Sequence, residues 1–322
     1  MFRTDLNHWL QSFSSDAMTA FMEFISWLGL VYPLMIIALF ILSAVHFRKG
    51  LVVLNIMAIT AVLTGFLKQT IDYPRPIAVD ANLMQFEAEK TSADYSALQP
   101  ESFFGLFEEE ILAKTRESDI GRYGLPSGHT SLQVALWLSV AFLLNVRWLW
   151  ILSTSMVVLT MLSRMYLGLH YLGDVLGGLA LGLLVIAIWI RLAALSGYLR
   201  YQFLKKRALV FLLSPLVILA FSGPETTWQI GLAVGANIAI FLSTKDRYFP
   251  ELSDSWIDRT LFFVVLTVVF LAHFIGLAYL TSDFPAWADV FVMFFAGFAA
   301  LWISCKIALS KNWLTPPPAY ER

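Results

Sequence analysis

Cysteine is almost absent from this chain. Cys305 stands alone in an apolar run, which excludes a disulfide framework and a thiolate metal site. Charge is scarce too, at 14% of 322 residues, and its formal net value of −1 leaves no basic face of the kind that nucleic-acid partners require. No Asn-x-Ser/Thr sequon occurs, which suits a bacterial membrane better than a eukaryotic secretory one. Met1 to Ser15 is too polar for a cleavable secretory signal, so these residues are expected in the mature protein. Internal repeats and heptads are missing, and the Pro316-Pro317-Pro318 run is the one biased segment. What the chain has in excess is apolar. With 58% hydrophobic residues and a mean hydropathy of +0.71, it reads as membrane-embedded.

The expected fold is an all-α polytopic membrane bundle of about nine transmembrane helices, five of them forming a catalytic core. Residues 1–29 carry Leu6, Trp9, Leu10, Phe13 and Phe21 at roughly helical spacing, as expected for helices lying along the interface. Apolar runs follow at about 32–46, 51–67, 128–144, 148–166 and 171–195, then at 208–222, 227–243, 260–281 and 286–309. The expected division is 1–29 interfacial, 30–200 catalytic and 201–322 an accessory bundle. A polar excursion at 77–125 interrupts the core, and loops of that length are often functional. Within it, Glu101 to Arg116 is expected to form a short amphipathic helix with Phe103, Phe104, Phe107 and Ile111 on one face. That helix is either a lid or a segment resting on the bilayer.

Three stretches concentrate ionisable groups at helix boundaries, where a membrane makes them costly. The first runs from Lys68 to Arg75 and Pro76, where prolines must end the helix. The second is Pro126-Ser127-Gly128-His129, in which Ser127 is a suitable N-cap and Gly128 allows close backbone approach to an anion. The third runs from Ser163 and Arg164 to His170 and Asp174. A four-residue spacing stacks His170 and Asp174 on one helical face. They form either a structural ion pair or a nucleophile with its orienting acid.

By the positive-inside rule, the loops at 48–50, 145–148, 191–207 and 244–259 with the C-terminal part are cytoplasmic, because they hold 14 of the 22 Lys and Arg residues. The other side holds Arg3, Lys68, Arg75, Lys90, Lys114, Arg116, Arg122 and Arg164. The three stretches then face the periplasm or a lumen, as expected of an inner-membrane protein.

Together they suit a phosphate ester. Lys68, Arg75 and Arg164 offer fixed positive charge, and Ser127 and the amides around Gly128 offer donors. His170, oriented by Asp174, can attack phosphorus while His129 protonates the leaving oxygen. A zinc site from His129, His170 and Asp174 is disfavoured by the three surrounding cations and the lack of a second carboxylate.

The pattern resembles the signature of the type 2 phosphatidic acid phosphatase superfamily. A lysine, six residues and Arg-Pro are matched by Lys68, Arg75 and Pro76, and Pro-Ser-Gly-His by Pro126 to His129. Ser-Arg, five residues, a histidine, three residues and an aspartate are matched by Ser163, Arg164, His170 and Asp174. The resemblance covers about residues 18–195. It implies phosphoryl transfer through a phosphohistidine with no metal or other cofactor, with His170, His129 and Asp174 catalytic and Lys68, Arg75, Ser127, Gly128 and Arg164 holding phosphate. The substrates it implies include phosphatidate, phosphatidylglycerol phosphate, isoprenyl pyrophosphates and sphingoid phosphates. A site at the bilayer surface favours a membrane lipid phosphate. A phosphotransferase and a glucose-6-phosphatase-like sugar phosphatase stay open. A transporter would need its charges near the midplane on broken helices.

Overall fold

The computed structural model describes residues 1–84, 86, 95–118, 121–199, 205–221, 223, 227–243, 249–280 and 286–315. Lys90 and Pro316-Pro317-Pro318 lie outside the described residues, as do parts of the loops counted above. The helices are α1 (Asp5–Gln11), α2 (Asp16–Leu28), α3 (Val31–Phe40), α4 (Phe47–Ile71), α5 (Pro76–Val79), α6 (Glu109–Ser118), α7 (Gly128–Gln133), α8 (Ser139–Leu144), α9 (Arg147–Tyr166), α10 (Leu172–Leu195), α11 (Lys205–Leu213), α12 (Thr227–Leu242), α13 (Trp256–Leu280) and α14 (Ala286–Ser310). Five-residue π-helical segments at Ile41–Val45 and Val134–Leu138 continue α3 and join α7 to α8. The strand content among the described residues is one antiparallel pair, Glu251–Leu252 with Leu314–Thr315.

Among the described residues, five helical segments are long and apolar enough to cross a membrane: Phe47–Val79, Arg147–Tyr166, Leu172–Leu195, Trp256–Gly276 and Ala288–Ser310. This is an all-α integral membrane protein. Asp16–Leu28 and Val31–Val45 qualify only as a pair, bent by 59° between the residues expected along the interface and the apolar run expected at about 32–46. Gly29 ends the first helix and Pro33 sits in the first turn of the next, where its missing N–H costs no hydrogen bond. Gly128–Leu144, Leu209–Phe221 and Trp228–Leu242 match expected runs but are shorter than the ~20 residues of a straight crossing.

By its internal contacts the chain forms two compact units. One comprises Met1–Leu34, Thr64–Ala141 and Asn145–Leu184, and the other Met35–Leu63, Phe142–Leu144 and Val185–Arg322. In the second, α12 and α14 pack backbone to backbone. A Cβ at Gly231 or Gly235 would stand 2.1 or 2.0 Å from the Val290 or Phe294 carbonyl oxygen, so only glycine fits. Buried Asn55 and Asn237 exchange amide hydrogen bonds of 2.8 Å, which satisfies polar groups that an apolar interior would penalise. His273 Nδ1 lies 2.7 Å from the Val269 carbonyl.

The first unit is built around the α9–α10 junction. Gly168, at φ +73°, ends α9 in the left-handed conformation that glycine alone adopts freely, and the Leu169 N–H closes back on the Arg164 carbonyl at 3.1 Å. The Met165 carbonyl also accepts from the Gly168 N–H at 3.0 Å, and α1 supplies further donors at this helix end. Asn7 Nδ2 donates to the carbonyls of Met165 (2.7 Å) and His170 (3.1 Å), and Gln11 Nε2 to that of Tyr166 (2.9 Å). His8 Nε2 and the Thr4 hydroxyl engage Asp80 at 2.8 and 2.6 Å, fixing α1 from its other side. Burial alone would raise the Asp80 carboxyl, but hydrogen bonds from Thr4, His8 and the Asn82 N–H outweigh it and hold the pKa below the usual range.

The helix expected over Glu101–Arg116 differs. α6 begins only at Glu109, placing Glu109 and Glu110 in its first turn, where the helix dipole favours them. The three phenylalanines therefore precede the helix and share no face of it. Phe107 is buried against Tyr73, Val79, Ile111 and Tyr171, whereas Phe103 and Phe104 are 56% and 74% exposed.

Candidate active site

All three motif stretches lie in the first unit, and backbone hydrogen bonds join them. The Ser127 N–H donates to the Asp174 carbonyl at 2.9 Å, linking the second stretch to the third. The Gly124 N–H donates to the Tyr73 carbonyl and the Arg75 N–H to that of Gly121, both at 2.7 Å, tying the first stretch to the loop before Pro126. Lys68 Nζ donates to the Tyr123 carbonyl. Arg122 clamps Asp72 through Nη2 at 2.6 Å, holding the same loop from the α4 side.

Glycines on α10 set the depth at which Ser127 and His129 sit. A Cβ at Gly178 would stand 2.6 Å from the Ser127 carbonyl oxygen, and one at Gly182 would stand 2.6 Å from Val134 Cγ1. α10 therefore packs directly on the start of α7. Ser127 occupies the N-cap position, yet its hydroxyl caps no backbone N–H. It accepts instead from the Thr130 hydroxyl at 3.1 Å and is fully buried.

His170 lies in the short link between α9 and α10, 2% exposed, with Nδ1 3.2 Å from Asp174 Oδ2. The same oxygen accepts from the Tyr171 N–H at 3.0 Å, so the carboxylate orientation is fixed from two sides. With Nδ1 turned to the carboxylate, Nε2 is the nitrogen left for other chemistry. Burial, then the charges of Lys68, Arg164 and Arg75, hold His170 well below the ordinary imidazole range. The ring is therefore neutral near pH 7, the form in which a nitrogen lone pair can act as a nucleophile.

Arg164, 5% exposed, donates from Nη1 to the Ser26 hydroxyl on α2 at 2.5 Å. One residue earlier, the Ser163 hydroxyl donates to the Met22 carbonyl at 2.6 Å. α2 also meets the second stretch: a Cβ at Gly29 would stand 2.7 Å from His129 Cδ2, so the ring lies where a side chain would otherwise be. Arg75 Nε and His129 Nε2 are buried and have no hydrogen-bond acceptor among the described residues. His129 and Arg164 open on a cavity of about 390 Å3, whose other wall includes Glu23, Ser26, Trp27 and Leu30 of α2 and its end. Among the described residues, no group of three or more His, Cys, Asp or Glu side chains is placed to hold a metal ion.

The structure thus brings together Lys68, Arg75, Ser127, Gly128, His129, Arg164, His170 and Asp174. Sequence reasoning missed the contribution of α2. The nearest available signal was Glu23, which shares a helix face with Thr19 and Ser26 in a mostly apolar stretch.

Comparison with known proteins bears on the same stretch. A family model, the PAP2 superfamily, matches residues 49–198. Lipid A 1-phosphatase of Helicobacter pylori is 40% identical over 73 residues, covering 21% of this chain and 36% of that protein. Lipid A 4'-phosphatase of Porphyromonas gingivalis is 35% identical over 65 residues, 20% of this chain and 28% of that protein. The chain thus spans about a third of the length of these curated relatives. No solved structure matches it significantly. Lys68, Arg75, Ser127 to His129, Arg164, His170 and Asp174 all fall within residues 49–198, the stretch that is similar to the PAP2 superfamily.

Proposed function

We propose that this protein hydrolyses a membrane lipid phosphate or pyrophosphate through a phosphohistidine on His170, at the periplasmic face of a bacterial inner membrane. The observation that carries this reading is the His170–Asp174 pair, buried beside Lys68, Arg75 and Arg164, with donors at Arg75 Nε and His129 Nε2 that no described protein group uses. A phosphate dianion would supply the missing acceptors. In the first step His170 Nε2 attacks phosphorus, the bond from phosphorus to the leaving oxygen breaks, and His129 gives that oxygen its proton. The dianion beside His129 favours the imidazolium form needed for this role. Lys68, Arg75, Arg164 and the Gly128 region hold the three equatorial oxygens as charge spreads onto them. Water, deprotonated by His129, then attacks the phosphohistidine, releasing phosphate and regenerating His170.

The excess of Lys and Arg on the loops of the opposite side supports the periplasmic orientation. Both relatives are lipid A phosphatases by name, which brings lipid A into the candidate substrates. The test is phosphate release by the purified chain in detergent with EDTA, comparing phosphatidate, isoprenyl pyrophosphate, lipid A and glucose 6-phosphate. At least one lipid should exceed the sugar phosphate in kcat/KM by about tenfold or more, since only a lipid can place a tail between helices. A preference for glucose 6-phosphate, or activity that EDTA abolishes and one divalent ion restores, would overturn the reading.

A further inference from the structure

The cavity beside the phosphate site has a composition that the hydrolytic chemistry does not require. His129 and Arg164 form its inner wall, so a group filling it would be the one esterified to the phosphate held there. The rest of its lining comes from α2 and the residues just after it, with Phe86 and Leu167. Ser26 and Trp27 follow Glu23 at spacings of three and four residues, which puts the three on one helical face, and Leu30 follows just after the helix ends. Most of the exposed residues around them are apolar, including Phe21, Phe24, Val31 and Tyr32. A carboxylate on such a face is expensive in or near a bilayer and is retained where it meets a ligand.

Glu23 has no hydrogen-bond or ion-pair partner among the described side chains that would account for it. Ser26 is already fixed by Arg164, and its hydroxyl proton is free to point elsewhere. Trp27 is 53% exposed and is steadied by Phe24, the two rings stacked at 6.1 Å between centroids. A carboxylate that accepts from hydroxyl donors, next to a broad aromatic ring that covers C–H surface, is a combination suited to a sugar ring. It is poorly suited to a second anion, which Glu23 would repel.

We infer that Glu23 and Trp27 form a headgroup subsite that selects an uncharged, hydroxyl-bearing leaving group, a sugar ring carried on the lipid, with Glu23 accepting its hydroxyls and Trp27 covering its face. This rests on the phosphate-site reading above and adds to it a specificity determinant on a helix outside the family-matched stretch.

The experiment compares two substrates with matched acyl chains in the same detergent: an N-acylated glucosamine lipid phosphate, which carries hydroxyls but no free amine, and phosphatidate. Glu23→Gln should lower kcat/KM for the sugar lipid by about tenfold or more, mostly through KM, and change phosphatidate by less than about twofold, as expected when a charge-assisted hydrogen bond is lost from one substrate only. Trp27→Leu keeps apolar bulk and should show the same selectivity, so the inference stands on a second variant if the first is poorly folded. Equal losses on both substrates, or no loss on either, would overturn the subsite while leaving the phosphatase reading intact. A wild-type chain inactive on the sugar lipid would overturn the subsite, and one inactive also on phosphatidate, isoprenyl pyrophosphate and lipid A would overturn the phosphatase reading with it.

Discussion

Replacing His170 with alanine should lower phosphate release by at least about 10⁴-fold while the protein still inserts and elutes as a single species in detergent. The expectation follows from how little else at the site could take the role. His129 has no carboxylate among its recorded partners and lies against the end of α2. Lys68 donates one of its protons to the Tyr123 carbonyl, and its proposed role is to hold phosphate with the others. His170 alone combines a lone pair at Nε2 with a carboxylate fixing its other nitrogen. Its ring is buried, so alanine would also leave a void, and His170→Gln is the companion variant. Glutamine can retain a hydrogen bond to Asp174 but carries no nucleophilic nitrogen. Both variants should be inactive. Substantial turnover by either, after purification away from host phosphatases, would remove His170 from the mechanism.

Asp174→Asn should lower kcat by about 10²–10⁴-fold with a smaller change in KM. Asp174 Oδ2 accepts from both the Tyr171 N–H and His170 Nδ1, at 3.0 and 3.2 Å. An amide can place its oxygen there, losing the negative charge that stabilises the ring as Nε2 gains a bond to phosphorus. If it places its NH2 there, Nδ1 must become an acceptor and the proton moves to Nε2, which removes the nucleophilic lone pair. Both arrangements cost rate, and neither touches the phosphate-binding cations, which is why binding should survive. A kcat within about threefold of wild type would show that the pair is only a structural contact between helix ends.

The parts of this molecule that were legible in the sequence are those set by local spacing. Apolar runs marked the helices because a bilayer demands continuous apolar surface, and the four-residue interval marked the His170–Asp174 contact because a helix turn repeats on that interval. The four-residue interval of Gly178 and Gly182 is visible in the sequence, but that they seat Ser127 and Val134 is not. The illegible parts depend on contacts between distant stretches. Ser26 and Arg164 are 138 residues apart, Ser163 and Met22 are 141 apart, and no pattern in either stretch announces the other. Asn7 and Gln11 bind the carbonyls that end α9, and nothing in their own stretch of sequence marks that role. Phe107 had helical spacing with Ile111, but α6 starts two residues after it, and Phe107 reaches Tyr73 and Tyr171 from the preceding loop.

The most direct measurement is to trap the intermediate. The purified chain would be mixed with lipid phosphate labelled with ³²P on the transferred group, quenched in alkali within the first turnover and digested for mass spectrometry. The account predicts base-stable, acid-labile label on the imidazole of His170, absent from His170→Ala and chased to free phosphate in unquenched wild-type enzyme. Label on another residue, or full turnover with no protein-bound phosphate at any time during it, would contradict the account.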